Sequence, residues 1–337
     1  MPCLFLHKEG PWKEGRGRRP PFPVTEVQKM KRKVKVRVPA TSANLGPGFD
    51  SIGLALQIYN ELTLSVAAGL QPTVEVVGEG AASLPRDGSH LSLRAADSLF
   101  KAAGLKPPTW NLHQSNRIPP GSGLGSSAAA IVGGLYAANT FLPDPFSRER
   151  LLELAIELEG HPDNVAPALY GGMVISCRGC GRWHTFHDAP FPGLRLLLAL
   201  PELTLSTSEA RRVLPEQVPR SDAVFNTGRA AALTAALLTG NEEPLSWATE
   251  DRLHQPYRCP LIPGAEAALA AARRAGASGA AISGAGPSII AFWFERGEAD
   301  LRAGNVAAAL EDAFTGAGIR CRVISTTVDN NGVTLLI

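Results

Sequence analysis

The chain has 337 residues, 45% hydrophobic and 19% charged, the composition of an ordinary globular protein and not of a disordered or fibrous one. Its longest apolar run, Ala128 to Ala138 with the glycines counted, falls short of the ~18 residues that cross a bilayer, which argues against a membrane protein. The net charge of +2 hides an asymmetry: residues 1–37 carry eleven Lys or Arg against three acids, and the remaining 300 carry 22 against 28.

Residues 1–30, rich in Pro, Gly and Arg, are expected to form a disordered basic extension, with Met30 an alternative start. They lack the apolar stretch of a signal peptide and the aromatic interleaving of a single-strand binder. The negative body argues against nucleic acid, since phosphate neutralisation supplies most non-specific affinity. Organised sequence begins with Val34 to Val38, whose alternation predicts a strand that Pro39 ends. A Gly-, Ser- and Asn-rich loop to Phe49 follows, then one or two strands over Ile52 to Val66 and another over Val74 to Val77. His90 to Ala103 has helical spacing, and Trp110 to Gln114 is short and extended.

Next, a Gly-rich stretch from Arg117 leads into an Ala-rich helix from Ser126 to about Phe141. A second helix, Arg148 to Glu159, breaks at Gly160-His161-Pro162. Strands are expected near Met173 to Ser176 and Trp183 to Phe186, with Arg178-Gly179 as the hairpin tip. Pro190 to Gly193 is the expected domain boundary, dividing 31–190 from 191–337. Beyond it come strand Leu194 to Leu200, helices Asp222 to Leu238 and Gly264 to Ala275, and strands Gly279 to Ile282 and Ser288 to Phe294. Helix Asp300 to Thr315 and strands near Cys321 to Val328 and Val333 to Ile337 complete a second layer. Strands and helices without regular alternation predict an α+β, two-layer architecture. Five cysteines, an odd number, make no disulfide framework and point to a reducing, cytosolic compartment. Cys177 and Cys180 form a C-x-x-C with no second pair at zinc-ribbon spacing, and a structural turn is the expectation there.

Three segments could carry chemistry. In the loop, Gly121, Gly123 and Gly125 allow backbone amides to approach an anion. Ser126 and Ser127 open a helix whose free amides favour phosphate. A tight turn before a helix would look the same. A Walker A loop needs a Lys after its last Gly, and no Lys follows Lys106. A Rossmann loop would directly follow a strand, whereas Arg117-Ile-Pro-Pro intervenes here. Pro39 to Asp50 joins a Gly/Pro turn to Asn44 and Asp50. Glu159 to Asn164 gathers an acid, a His, an Asp and an Asn at a helix end; such clusters often mark binding sites, and C-capping by Asn and His would also explain this one. Ser283-Gly-Ala-Gly-Pro-Ser288 links two apolar strands.

Together these segments resemble the GHMP kinases: Ala40 to Asp50 is similar to their motif one, Pro119 to Ala129 to motif two, and Gly279 to Ser288 to motif three. The runs TSANLGPGFDSIGLAL, EGHPDNVAP, TSEARRVLP and LHQPYR narrow the resemblance to the homoserine kinases, over about Val34 to Val328. It implies an N-terminal domain like domain 2 of ribosomal protein S5 and a ferredoxin-like C-terminal domain, with the active site between them. It implies ATP phosphates over Pro119, Pro120, Gly121, Ser122, Gly123, Leu124, Gly125, Ser126, Ser127, Ala128 and Ala129. Ser127 and Glu153, with Glu157 as fallback, would hold Mg²⁺, which needs few protein oxygens. Asn44, Asp50, His161 and Asp163 would sit at the amino end of homoserine. Arg211 and Arg258 would take its carboxylate through their planar forks, and Thr207, one turn before Arg211, would order the site. Taken alone, Arg211 and Glu153 read as solvated helix residues. Asn164 would lie by the attacking hydroxyl, where mevalonate kinases use an Asp, so positioning and electrostatics should carry catalysis without a strong base. A homodimer is also implied. The rival expectations are a GHMP kinase for another alcohol, such as mevalonate or shikimate, and a non-catalytic sensor on the same fold.

Overall fold

The computed structural model describes residues 33–295 and 301–336; the expected basic extension and the start of the helix predicted from Asp300 lie outside them. Strand β1 (Val34–Asn44) runs antiparallel to the long β2 (Gly48–Val66), which pairs in turn with β4 (Trp110–Asn116). Strand β3 (Thr73–Gly78) lies parallel to β4, connected through helix α1 (Leu91–Ala102). Strands β5 (Met173–Gly179) and β6 (Arg182–Asp188) extend the sheet from the other part of β2. Helices α2 (Ser126–Asn139), α3 (Arg148–Glu159) and α4 (Pro162–Tyr170) pack with α1 into the same hydrophobic core. Helices α1 and α2 cross closely because Gly134 has no side chain: a Cβ there would lie 2.2 Å from the Ser92 carbonyl oxygen.

The second sheet is wholly antiparallel, in the order β10 (Cys321–Thr326), β7 (Leu194–Pro201), β9 (Ile289–Phe294), β8 (Gly279–Ile282). Helices α9 (Ala265–Arg274) and α10 (Arg302–Gly316) supply the crossovers before β8 and before β10. The βαββαβ order with strands arranged fourth, first, third, second is the ferredoxin-like arrangement. Both faces of this sheet are buried, and the two-residue period of a strand divides them. Leu196, Leu198 and Leu200 join the first core, along with Leu233 and Leu237 of α6 (Arg220–Thr239), whereas Leu197 and Ala199 face the cluster under α9 and α10. Among the described residues no helix is long and apolar enough to cross a membrane.

Several expected elements differ. Pro39 does not end β1, because Gln57 and Ile58 of β2 bulge out of register opposite the Pro39–Ala40 step. Such a bulge tolerates a residue with no N–H to give. The expected loop 40–44 is therefore strand. The β5–β6 hairpin turns at Cys180–Gly181, with φ of 50° and 80°, not at Arg178-Gly179; two left-handed residues match the twist of the flanking strands. Helix α4 was not anticipated: Pro162 starts it with the fixed φ that suits a first helical residue. Strand β11 (Thr334–Leu336) pairs with β1 in the first sheet, so the chain's last strand leaves the layer to which it was assigned. Three further short helices, α5 (Thr207–Arg212), α7 (Leu245–Ala248) and α8 (Gln255–Arg258), follow β7.

Candidate active site

A cavity of about 420 Å³ opens where the two sheets' connecting segments meet. One end is the Gly-rich loop. Gly121, Gly123 and Gly125 all have φ between 66° and 80°, a left-handed conformation that side chains disfavour. Gly123 also has no room for one, since a Cβ would lie 2.3 Å from the Ser283 carbonyl oxygen. The loop is tied to both other Gly-rich segments: Thr41 N–H donates to Leu124 O at 3.1 Å, and Ser283 Oγ donates to Gly123 O at 2.8 Å. Leu124 is fully buried between them, contributing on the order of 2 kcal/mol and anchoring the loop. Helix α2 then starts at Gly125 with no side-chain cap, which leaves its first amides free for an anion.

Pro120, Gly121, Ser122, Gly123, Gly125, Ser126 and Ser127 line the cavity. Pro119 lies in a neighbouring groove, and Leu124, Ala128 and Ala129 are core residues whose side chains face away. At the loop's edge Ser127 Oγ donates to Glu159 Oε1 at 2.6 Å. Burial pushes the Glu159 carboxyl pKa up, opposed by the Ser127 hydrogen bond and by His161. Glu153 does not line the cavity; its carboxylate accepts from Arg150 at 2.7 Å, and Glu157 lies 4.0 Å from the same Arg150. Glu159 stands in the polar run the sequence marked, yet carried no assigned role there.

The other end is charged. Asn44 and Asp50 both adopt left-handed backbone, φ 69° and 54°, a strain that surrounding contacts must hold. Asn44 supplies them: its Nδ2 donates to Gly284 O at 2.9 Å, and its Oδ1 accepts from Asp50 N at 3.0 Å. Arg211 grips Asp50 with both arms, at 3.0 and 2.6 Å. Burial opposes the Arg211 charge, but Asp50 outweighs it and raises its pKa. Thr207, on the same face of α5 as Arg211, also lines the cavity.

Arg258 is almost fully buried and donates to Ala210 O at 3.1 Å and Gly284 O at 3.0 Å. Burial, then the nearby Arg211, brings its pKa down to about 10, leaving it a cation at neutral pH. Both guanidiniums stand over the Phe49 ring, at 5.6 and 5.3 Å from its centroid. His254, unassigned from the sequence, braces this arrangement. Its Nε2 lies 2.7 Å from Gly46 O and its Nδ1 3.3 Å from Arg258 Nη1. Burial lowers its pKa, so the neutral ring donates to Gly46 and accepts from Arg258.

Helix α4 brings the remaining residues. It rests on β2 at Gly53, where a Cβ would lie 1.8 Å from Asp163 O. His161 Nδ1 and Asp163 Oδ1 are 2.5 Å apart; burial opposes the imidazolium, but Asp163 outweighs it and raises the His161 pKa. Asp50, His161 and Asp163 form the one cluster of three metal-ligating side chains among the described residues. Cys177 and Cys180 are exposed, free, and gather no such set. Beyond the loop, Leu84, Pro85, Leu91 and His90 close the cavity. His90 Nδ1 accepts from Ser92 N, which leaves the proton on its buried, unpartnered Nε2.

Residues 90–172 match the family model for the GHMP kinases N-terminal domain, and residues 230–312 the model for the GHMP kinases C-terminal region. The chain is 44% identical over 305 residues to a homoserine kinase of Carboxydothermus hydrogenoformans, covering 90% of this chain and 97% of that one. It is 45% identical over 303 residues to a homoserine kinase of Trichormus variabilis, covering 89% and 98%. The crystal structure of homoserine kinase from Cytophaga hutchinsonii superposes with a TM-score of 0.81 at 31% identity, covering 92% of this chain and 99% of that one. Identity at this level over about nine tenths of the chain, together with both family models, places the chain in the homoserine kinase family of the GHMP kinases.

Proposed function

We propose that the protein transfers the γ-phosphoryl group of ATP to the side-chain hydroxyl of L-homoserine, giving ADP and O-phospho-L-homoserine on the route to threonine. The observation that carries this is one cavity holding a phosphate-type loop at one end and Asp50, Arg211 and Arg258 at the other. A zwitterion with a short hydroxyl arm satisfies both charges while its hydroxyl reaches toward the loop. The base of ATP lies against Leu84, Pro85, Leu91 and His90, and its phosphates lie over the amides of 121–127.

The hydroxyl oxygen attacks the γ-phosphorus, the bond to the β,γ-bridging oxygen breaks, and the electron pair leaves with ADP. The hydroxyl proton departs to water or phosphate. Loop amides and the start of α2 hold the negative charge of the phosphates in place. Arg258 and Arg211 hold the carboxylate, and Asp50, helped by Asp163, holds the ammonium. Asn164 sits beside the reacting hydroxyl.

The donor set suits Mg²⁺: Ser127 Oγ and a carboxylate of α3 are hard oxygens at the loop's edge, and phosphates and water complete such a site. Bound there, the ion would offset charge on the β- and γ-phosphates. Glu159 already meets Ser127, whereas Glu153 must first leave Arg150.

The test is ADP release from Mg-ATP with L-homoserine, beside mevalonate, L-threonine and no acceptor. Turnover that needs homoserine is expected. Turnover only with mevalonate would keep the kinase and remove the clamp assignments.

A further inference from the structure

We propose that Thr41 is a positioning residue for Asn164, holding its amide so that the catalytic cavity receives an N–H donor and not a carbonyl. The proposal rests on the homoserine kinase assignment, and extends it to what Asn164 can do chemically.

Thr41 Oγ1 donates to Asn164 Oδ1 at 2.8 Å, and the two side chains come from segments 123 residues apart. Thr41 is fully buried and Asn164 nearly so, so water does not compete for this bond. The opposite turn of the amide would aim Oδ1 at Asp163. As it stands, Asn164 Nδ2 donates to Asp163 Oδ1 at 3.3 Å, whereas a carbonyl facing that carboxylate would be repelled. The Asp163 carboxylate, which can only accept, therefore chooses the sense of the amide, and the buried Thr41 hydroxyl holds the amide there from its other side. Gly125 makes room for them: a Cβ there would lie 1.9 Å from Thr41 Oγ1 and 3.2 Å from Asn164 Oδ1.

An amide nitrogen has two protons. One goes to Asp163, and the other is the polar group that Asn164, which lines the cavity, offers a substrate oxygen. With its carbonyl turned to Thr41, Asn164 meets the reacting hydroxyl through N–H and not as a base. Its contribution is orientation of the reacting oxygen, and Thr41 holds the amide for that task without touching substrate.

Thr41→Val keeps the shape and removes the O–H; Thr41→Ser keeps the O–H and removes the methyl. Steady-state kinetics on both, with melting temperatures alongside, test the proposal. In Thr41→Val, kcat should fall roughly ten- to a hundredfold, while KM for homoserine and ATP changes little. Thr41→Ser should turn over nearly as fast as the unmodified protein. Equal kcat in Thr41→Val would overturn the proposal, and so would a loss in Thr41→Ser as large as in Thr41→Val. If Thr41→Val does not fold, Thr41→Ala, which cannot clash, is read the same way. If the unmodified protein ignores homoserine, the substrate assignment fails first. The Thr41 comparison is then run on whichever alcohol it does phosphorylate.

Discussion

The two ends of the cavity are built on opposite principles. The loop end comes from one continuous stretch, Pro120 to Ser127, and works through backbone amides, left-handed glycines and the start of α2. The charged end draws side chains from four separated segments: Asp50, Asp163, Arg211 and Arg258, with Asp50 and Arg211 already paired. Shape should therefore dominate one end and charge the other. Steric changes at the loop should cost the fold, and neutral changes of equal size at the clamp should cost only recognition.

Gly125→Ala should show the largest effect. It adds a methyl 1.9 Å from Thr41 Oγ1 at a φ of 68°, so a destabilisation on the order of 4 kcal/mol is expected in denaturant unfolding. A variant with unchanged unfolding would break the claim that the loop's shape is locked. Arg211→Gln comes next. It should lower kcat/KM for homoserine roughly a hundredfold by leaving Asp50 without its partner and the substrate carboxylate with one guanidinium. Its melting temperature should barely move, because the pair is about a third exposed on each side. An equal loss of ATP affinity would show that the two ends are not separable. The smallest effect distinguishes the carboxylates of α3. If Glu159 shares the metal with Ser127, Glu159→Gln should need about tenfold more Mg²⁺ for half-maximal rate, and Glu153→Gln should behave like the unmodified protein. The reverse result would mean that Glu153 exchanges Arg150 for the metal.

The contrast between the ends also governs what could be read in advance. The glycine spacing of 121, 123 and 125 is a local signal, because each glycine answers to its own backbone. Glu153 and Glu159 could not be ranked that way. Six residues apart, they point about 120° away from each other around the helix, and only the helix's orientation over the loop selects one. Helix α4 carries a weak local signal, since Pro162 and Pro167 both disfavour a helix interior, although the first sits where a helix start tolerates it and the second is inside the helix regardless. The braces Thr41 and His254 gave no signal, since neither residue type in a polar run implies a partner 123 or 208 positions distant.

By itself, the amino-acid sequence determined most of the longer elements, the α+β class, the glycine-rich loop and a short list of polar residues near it, because periodicity and turn chemistry act over a few neighbours. Only the tertiary structure decided which of those residues meet. It closed Arg211 on Asp50, set Glu159 and not Glu153 against Ser127, returned the last strand to the first sheet and placed Thr41 against the Asn164 amide. Such pairings follow from how two sheets share a buried core, and packing of that kind joins residues with no relation along the chain.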